Sequence, residues 1–267
     1  MNIKKYLTKH IPVLFYGHPG VGKTEKIKSC FEHVEVMLAS SMVEEDISGL
    51  PYRDGVYDKR TIPIIFKRLE EADAQGKTTA IFFDELDKAR RSVSDSFLTL
   101  ICNRAIGNSK LPDNTCIIAA ANNEFISGSD GISEAMQSRF CCIDFIPDPL
   151  EWYDWAIKHY KNHIEKINPV LESIKNGEIN LYNMLGEGHE KRITSPRTIS
   201  LFLTWYCNTS ATLEEQKKFI SGLLCPLEAT YIINKLNSFN NTKIDKIFST
   251  SKKINSASQK YLSPLRL

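Results

Sequence analysis

Gly17, Gly22, Lys23 and Thr24 stand in the pattern G-x-x-x-x-G-K-T within G-H-P-G-V-G-K-T, residues 17 to 24. The chemistry served by this spacing is the holding of nucleotide phosphates. Glycines let the backbone close on anionic oxygens, while main-chain N–H groups and the start of the following helix supply positive potential. Lys23 would reach the β- and γ-phosphates, and the Thr24 hydroxyl would bind Mg²⁺. His18, Pro19, Gly20 and Val21 complete the loop. A second group is D-E-L-D, 84 to 87, at the end of the apolar run T-T-A-I-F-F. A strand ending there carries Asp84 to the C-terminal edge of a parallel sheet, where ligands bind. Asp84 can then share the metal with Thr24. Glu85, one residue on, faces elsewhere and can orient or deprotonate a water. Together the two groups imply Mg²⁺-dependent hydrolysis of ATP, not merely the holding of a nucleotide.

These side chains need a scaffold, and the first half of the chain supplies its pattern. Short apolar runs at 13–16, 34–38, 80–83, 116–120 and 142–146 alternate with helical patterns at 24–32, 64–74, 92–103 and 132–138. Unbroken apolar strands separated by helices predict a parallel sheet covered on both faces. The fold class is therefore α/β, a P-loop αβα sandwich with a five-stranded parallel sheet. I-P-D-P-L, 146 to 150, ends the alternation. Beyond it the pattern is helical only, at 151–161, 169–175, 196–206 and 213–236. The expected domains are an ATPase core at 1–148, an all-α lid at 149–240, and a flexible tail at 241–267 that is Ser-, Asn- and Lys-rich.

Composition excludes more than it selects. A formal net charge of +2 over 267 residues gives no global field toward nucleic acid or membrane. The basic balance is confined to the tail, where six Lys or Arg residues face one acid after Asn241. Seven cysteines without a C-x-x-C pair indicate neither a zinc site nor a disulfide framework. The apolar run near the start is too short for a leader and passes straight into the glycine-rich loop. No run is long enough to span a bilayer. A cytoplasmic protein with reduced thiols is expected. His159 and His163 have a ligand-like spacing but no third partner. Trp152 and Trp155 are expected to pack the inner face of the lid.

The order of these pieces resembles an AAA+ ATPase, most closely the MoxR-type branch of bacteria and their phages, over about residues 11 to 207. Several roles follow from the resemblance alone. The strand 116–120 ends in A-A-N-N, and Asn122 matches the sensor 1 position, with Asn123 the competing choice. I-S-E-A-M-Q-S-R-F, 132 to 140, ends in S-R-F, so Arg139 matches the arginine finger, whose planar fork suits spreading phosphoryl charge; the alternative is a surface arginine in a salt bridge. T-S-P-R-T, 194 to 198, puts Arg197 at sensor 2, with Ser195 as cap and Pro196 in the first turn of a helix. D-I-S-G-L-P-Y, 46 to 52, is similar to the branch's pore-facing segment, where Leu50, Tyr52 and Tyr57 could grip a polypeptide; the alternative is a hairpin whose aromatics pack locally. R-A-I-G-N-S-K-L-P-D-N, 104 to 114, resembles the pre-sensor hairpin. The resemblance implies a homo-oligomeric ring, a hexamer, and a protein partner such as one with a von Willebrand factor A domain. The rival expectation is a nucleic-acid motor or loader, drawn from the basic tail and from Arg104 and Lys110.

Overall fold

Strands buried on both faces have no polar side to show, and the five apolar runs of the first half build one parallel sheet. In the computed structural model, which describes residues 3–122, 132–186 and 191–240, these are β1 (Val13–Tyr16), β2 (His33–Leu38), β5 (Thr79–Asp84), β8 (Cys116–Ala121) and β9 (Cys141–Asp144). Their order is β2-β5-β8-β1-β9, and every neighbouring pair is parallel. The central strands β5 and β8 are buried along almost their whole length. The edges are not: Val36 and Leu38 of β2 are exposed, as are Cys141, Cys142 and Asp144 of β9. The chain divides at Pro147 and Asp148 into two compact units.

Helices cover the first unit's sheet. They are α1 (Lys23–Lys28), α2 (Glu45–Ser48), α3 (Ile64–Ala74), α4 (Arg91–Asn103) and α5 (Glu134–Gln137). Phe97 of α4 meets Phe83 of β5 with ring centroids 4.1 Å apart, which fixes the helix under the acid-bearing strand end. Helix α1 stops short of the 24–32 expected from the sequence. The chain must turn there to enter β2, and His33 N–H already bonds the Thr78 carbonyl at 3.1 Å.

Two hairpins stand beside the sheet, β3 (Pro51–Asp54) with β4 (Tyr57–Arg60), and β6 (Ala105–Ile106) with β7 (Ser109–Lys110). They are tied together. Asn108 Nδ2 donates to the Arg60 carbonyl at 2.9 Å, and Arg60 Nη1 donates to Ser48 Oγ at 2.6 Å and the Gly49 carbonyl at 3.0 Å. Gly49, at φ 80°, must be glycine, because a Cβ would sit 1.8 Å from the Thr61 carbonyl oxygen.

The second unit is helical, with α6 (Pro149–His159), α7 (Ile164–Lys175), α8 (Pro196–Asn208), α9 (Leu213–Leu223) and a last helix α10 at 226–240. One short hairpin, β10 (Asn183–Leu185) with β11 (Arg192–Thr194), joins them. Two boundaries differ from expectation. Helix α7 starts five residues before Pro169 and runs through it, carried by the burial of Ile167, Val170 and Leu171. The single helix expected at 213–236 is two, broken at Leu224 and Cys225, where Pro226 opens α10 and Cys225 N–H bonds Thr194 Oγ1 at 2.9 Å. Trp152 is buried as expected, but Trp155 is 42% exposed and stacks on His159. Among the described residues no helix is long and apolar enough to cross a membrane.

Arg104 ends α4 with φ 52° and donates to the carbonyls of Lys9, Pro112 and Thr115 at 3.0, 2.8 and 2.7 Å. It clamps the root of the β6–β7 hairpin to the entry of β8. Replacing it with Ala should cost about 2 kcal/mol by stranding these acceptors. Arg104→Lys should recover only part, because an ammonium lacks the planar fork. Urea denaturation midpoints of the two variants check this, and equal midpoints for Arg104→Ala and wild type would refute it.

Candidate nucleotide site

The loop after β1 is shaped by its glycines. Gly17 is buried where a Cβ would stand 2.8 Å from the Phe145 carbonyl, so the loop can lie this close to β9 only without a side chain. Gly20 and Gly22 take φ of 81° and 95°, the left-handed region open to glycine at little cost. Val21 is buried, and His18, Pro19 and Gly20 line the loop half-buried. The His18 imidazole is held below its ordinary pKa, first by burial and then by the Lys23 charge, which keeps it neutral at pH 7.

Lys23 is the centre of the arrangement. It is buried, and its Nζ donates to the Gly17 carbonyl at 2.7 Å, the His18 carbonyl at 3.1 Å and Asn122 Oδ1 at 3.2 Å. Asn122 follows β8, so the strand that pairs with β1 delivers it to the ammonium. Thr24 lies next to Asp84 across the same strand, with Thr24 Oγ1 donating to Asp84 Oδ2 at 2.6 Å. Ala119, Ala120 and Ala121 end β8 between them. Methyl-sized side chains there leave the cleft open for the two to meet.

Glu85 leaves the strand direction. Its backbone is left-handed, φ 54° and ψ 42°, a conformation that costs a non-glycine residue about 1 kcal/mol or more. The consequence is a division of labour between adjacent acids. Asp84 faces Thr24, and its Oδ1 accepts the Glu85 N–H at 3.0 Å. Glu85 instead accepts Ser40 Oγ at 2.9 Å on Oε2 and meets Lys88 Nζ at 3.2 Å on Oε1. Sequence reasoning named neither Ser40 nor Lys88. Lys88 could have been found from its i,i+3 spacing, whereas Ser40 reaches Glu85 only through the β2–β5 pairing.

The residues present fit a triphosphate and its cation. A buried ammonium that meets carbonyl and amide oxygens can exchange them for phosphate, and Mg²⁺ needs few protein ligands when phosphates and water complete its shell. Thr24 and Asp84 could supply those ligands. Among the described residues no group of three or more His, Cys, Asp or Glu forms an alternative metal site, and the His159/His163 spacing gives none. Gly17 to Thr24, Asp84, Glu85 and Asn122 thus lie together. Asn123 lies outside the described residues.

Two further arginines were expected to act on the nucleotide. Arg139 follows α5 and is exposed; its Nε donates to Cys102 Sγ at 2.8 Å, and its Nη1 to the Ala135 carbonyl at 2.5 Å and Ser138 Oγ at 3.2 Å. Among the described residues no carboxylate pairs with it. Arg197 belongs to the second unit and is exposed in the first turn of α8, behind a reciprocal cap in which Ser195 Oγ accepts Thr198 N–H at 3.2 Å. No acid stands in that turn, so the cation opposes the helix dipole. Of the two basic residues offered for nucleic acid, Arg104 is engaged with three carbonyls, while Lys110 stays largely exposed beside Asp113 at 3.6 Å.

The parallel sheet, the loop after its first strand and the acids at the end of β5 define a P-loop nucleoside triphosphatase of the α/β class. The sequence profile of the ATPase family associated with various cellular activities (AAA) matches residues 13–147. The chain belongs to that family, an ATP-binding and ATP-hydrolysing class whose members commonly assemble as rings. No curated protein matches the chain.

Lys23→Ala removes the one ammonium in the loop. Titration with a fluorescent ATP analogue should show affinity reduced at least about tenfold, or about 1.4 kcal/mol. Affinity equal to wild type would mean that the loop does not use this charge.

Proposed function

We propose that this chain is an ATP-driven remodelling motor that works as a ring on a protein partner, in keeping with its resemblance to the MoxR-type branch. The observation that carries the reading is the β3–β4 hairpin. Its apolar side chains are turned to solvent: Val56 is 87% exposed and Tyr57 70%, with Leu50 and Tyr52 also exposed. Four of its charges are paired within the hairpin, Arg53 with Asp58 at 3.7 Å and Lys59 with Asp54 at 2.5 Å, and Arg60 turns to Ser48, Gly49 and Glu44. Such a surface offers aromatic and aliphatic contact with a net charge of only +1, from Arg53, Lys59 and Arg60 against Asp54 and Asp58, which suits a polypeptide better than a phosphate backbone. The ties through Arg60 and Asn108 hold this hairpin to the β6–β7 hairpin, so the two can present one surface.

In this reading Lys23 draws the β- and γ-phosphates of ATP into the loop. Thr24 and Asp84 hold Mg²⁺, which when bound neutralises phosphate charge. Glu85 orients the attacking water once its carboxylate leaves Ser40 and Lys88. Asn122 lies between that water and the γ-phosphate. Arg139 enters the site of the neighbouring copy; its exposed, carboxylate-free guanidinium supports that role over a surface salt bridge. Arg197 reports the nucleotide to the helical domain, 149–240, and the core is 1–148. A hexamer and a von Willebrand factor A partner rest on the resemblance, and a cytoplasmic setting on the cysteine pattern. The rival, a nucleic-acid motor, keeps the basic tail and the exposed Lys110, while Arg104 is engaged with main-chain carbonyls.

The test is steady-state ATPase rate against protein concentration, for wild type and Arg139→Ala. The specific rate should climb with concentration in wild type and stay on the order of 10³-fold lower in the variant. An unfolded polypeptide should stimulate it, and Tyr57→Ala should reduce that stimulation. A flat rate indifferent to Arg139→Ala would overturn the shared site, and salt-sensitive stimulation by DNA alone would transfer the reading to nucleic acid.

A further inference from the structure

Asp87 is the third acid of D-E-L-D, and nothing above gives it work. It lies in the single turn Leu86–Lys88 after Glu85 and is 4% exposed. Its Oδ1 accepts the Asn122 main-chain N–H at 3.1 Å. Its Oδ2 is buried without a hydrogen-bond partner among the described residues. A carboxylate taken from water for one N–H is poorly compensated, and a neutral or apolar side chain would stabilise the turn at less cost. The group therefore does something that folding of the turn alone does not require.

What it touches is Asn122, and Asn122 is constrained from its other end as well. Lys23 Nζ can only donate, so the Asn122 atom 3.2 Å from it must be the carbonyl oxygen. That assigns the amide orientation and turns Nδ2 away from the lysine. Among the described residues Nδ2 makes no hydrogen bond. Asn122 is thus held at the main chain by Asp87 and at its side-chain oxygen by Lys23, with one N–H₂ group left to donate.

We infer that Asp87 is a positioning residue for hydrolysis. Its buried carboxylate pins the end of β8 so that Asn122 Nδ2 is presented as a donor to the terminal phosphate of ATP or to the water attacking it. A bond to main-chain N–H fixes the strand end whichever rotamer Asn122 takes, and a charged acceptor holds it more firmly than a neutral one. This rests on the reading of Asn122 in the proposed function.

The experiment uses the full chain at concentrations where the specific rate is saturated. Asp87→Ala should lower kcat about tenfold while leaving KM for ATP within about twofold, the pattern of an interaction made in the transition state. Asp87→Asn keeps an oxygen acceptor and should return kcat to within about threefold of wild type. Adding Asp87→Ala to Asn122→Ala should cost nothing further, because the two act through one donor. Full kcat in Asp87→Ala, or a loss that adds in full to that of Asn122→Ala, would overturn the proposal. Should Asp87→Ala fail to fold, Asp87→Glu displaces the carboxylate by one methylene and carries the same expectations. An Asn122→Ala variant with undiminished kcat would instead remove the reading beneath it. A slow Asn122→Ala beside a fast Asp87 variant would condemn this inference alone.

Discussion

A buried ammonium has to be answered by oxygen atoms, and the first unit is organised around answering Lys23. Two of its acceptors are carbonyls of its own loop, at Gly17 and His18, and the third is the side chain of Asn122 at the end of another strand. The loop carbonyls can converge only because the chain turns through left-handed glycines and lies against Phe145 without a Cβ. The amide can reach only because β8 is the strand paired with β1. Sheet order is thus dictated at the site as much as in the core. These three acceptors are neutral, and an anionic oxygen in place of one of them would bind the ammonium more strongly.

The end of β5 solves a different problem, that of keeping three acids apart in four residues. Like charges at close quarters raise one another's energy. The left-handed turn at Glu85 sends the carboxylates in separate directions, Asp84 to Thr24, Glu85 to Ser40 and Lys88, and Asp87 to the Asn122 main chain. The strain of that turn is stored where reaction chemistry would use it. It is supported from below by Phe83 against Phe97, which leaves the strand end little freedom to relax.

Much of this was legible because it is local. The glycine-lysine loop, the apolar run closing in Asp84 and Glu85, and the cap Ser195-Pro196 are written in consecutive residues, and the order of strands and helices announces the α/β fold. What escaped depends on meetings between distant segments. Ser40 reaches Glu85 only through the register of β2 on β5, and Arg104 finds its three carbonyls only when the β6–β7 hairpin has closed. The break between α9 and α10 had a local sign in Pro226, but the periodicity of flanking apolar residues runs through it. Trp155 was expected inside because aromatics at helical spacing usually are; its neighbour Trp152 fills the core, and Trp155 finds His159 instead. The alternative of locally packed hairpin aromatics fails on exposure: Tyr52 and Tyr57 face solvent.

The exposed groups then carry the argument about work. Folding favours burying Tyr57 and Val56 and pairing Arg139 and Arg197, by a few tenths to a few kcal/mol each in order of magnitude. Tyr57 and Val56 stay exposed and, among the described residues, Arg139 meets no carboxylate, whereas Arg60 and Arg104 of the same unit each bond several acceptors. Among the described residues Arg139 meets Cys102, Ala135 and Ser138 but no anionic group, which leaves its charge open to a partner in the proposed ring. In the proposed ring a neighbouring copy's triphosphate would supply charge for the guanidinium, and an extended polypeptide would supply apolar area for the hairpin. Each partner is matched by the kind of group left open, and neither could be replaced by the other.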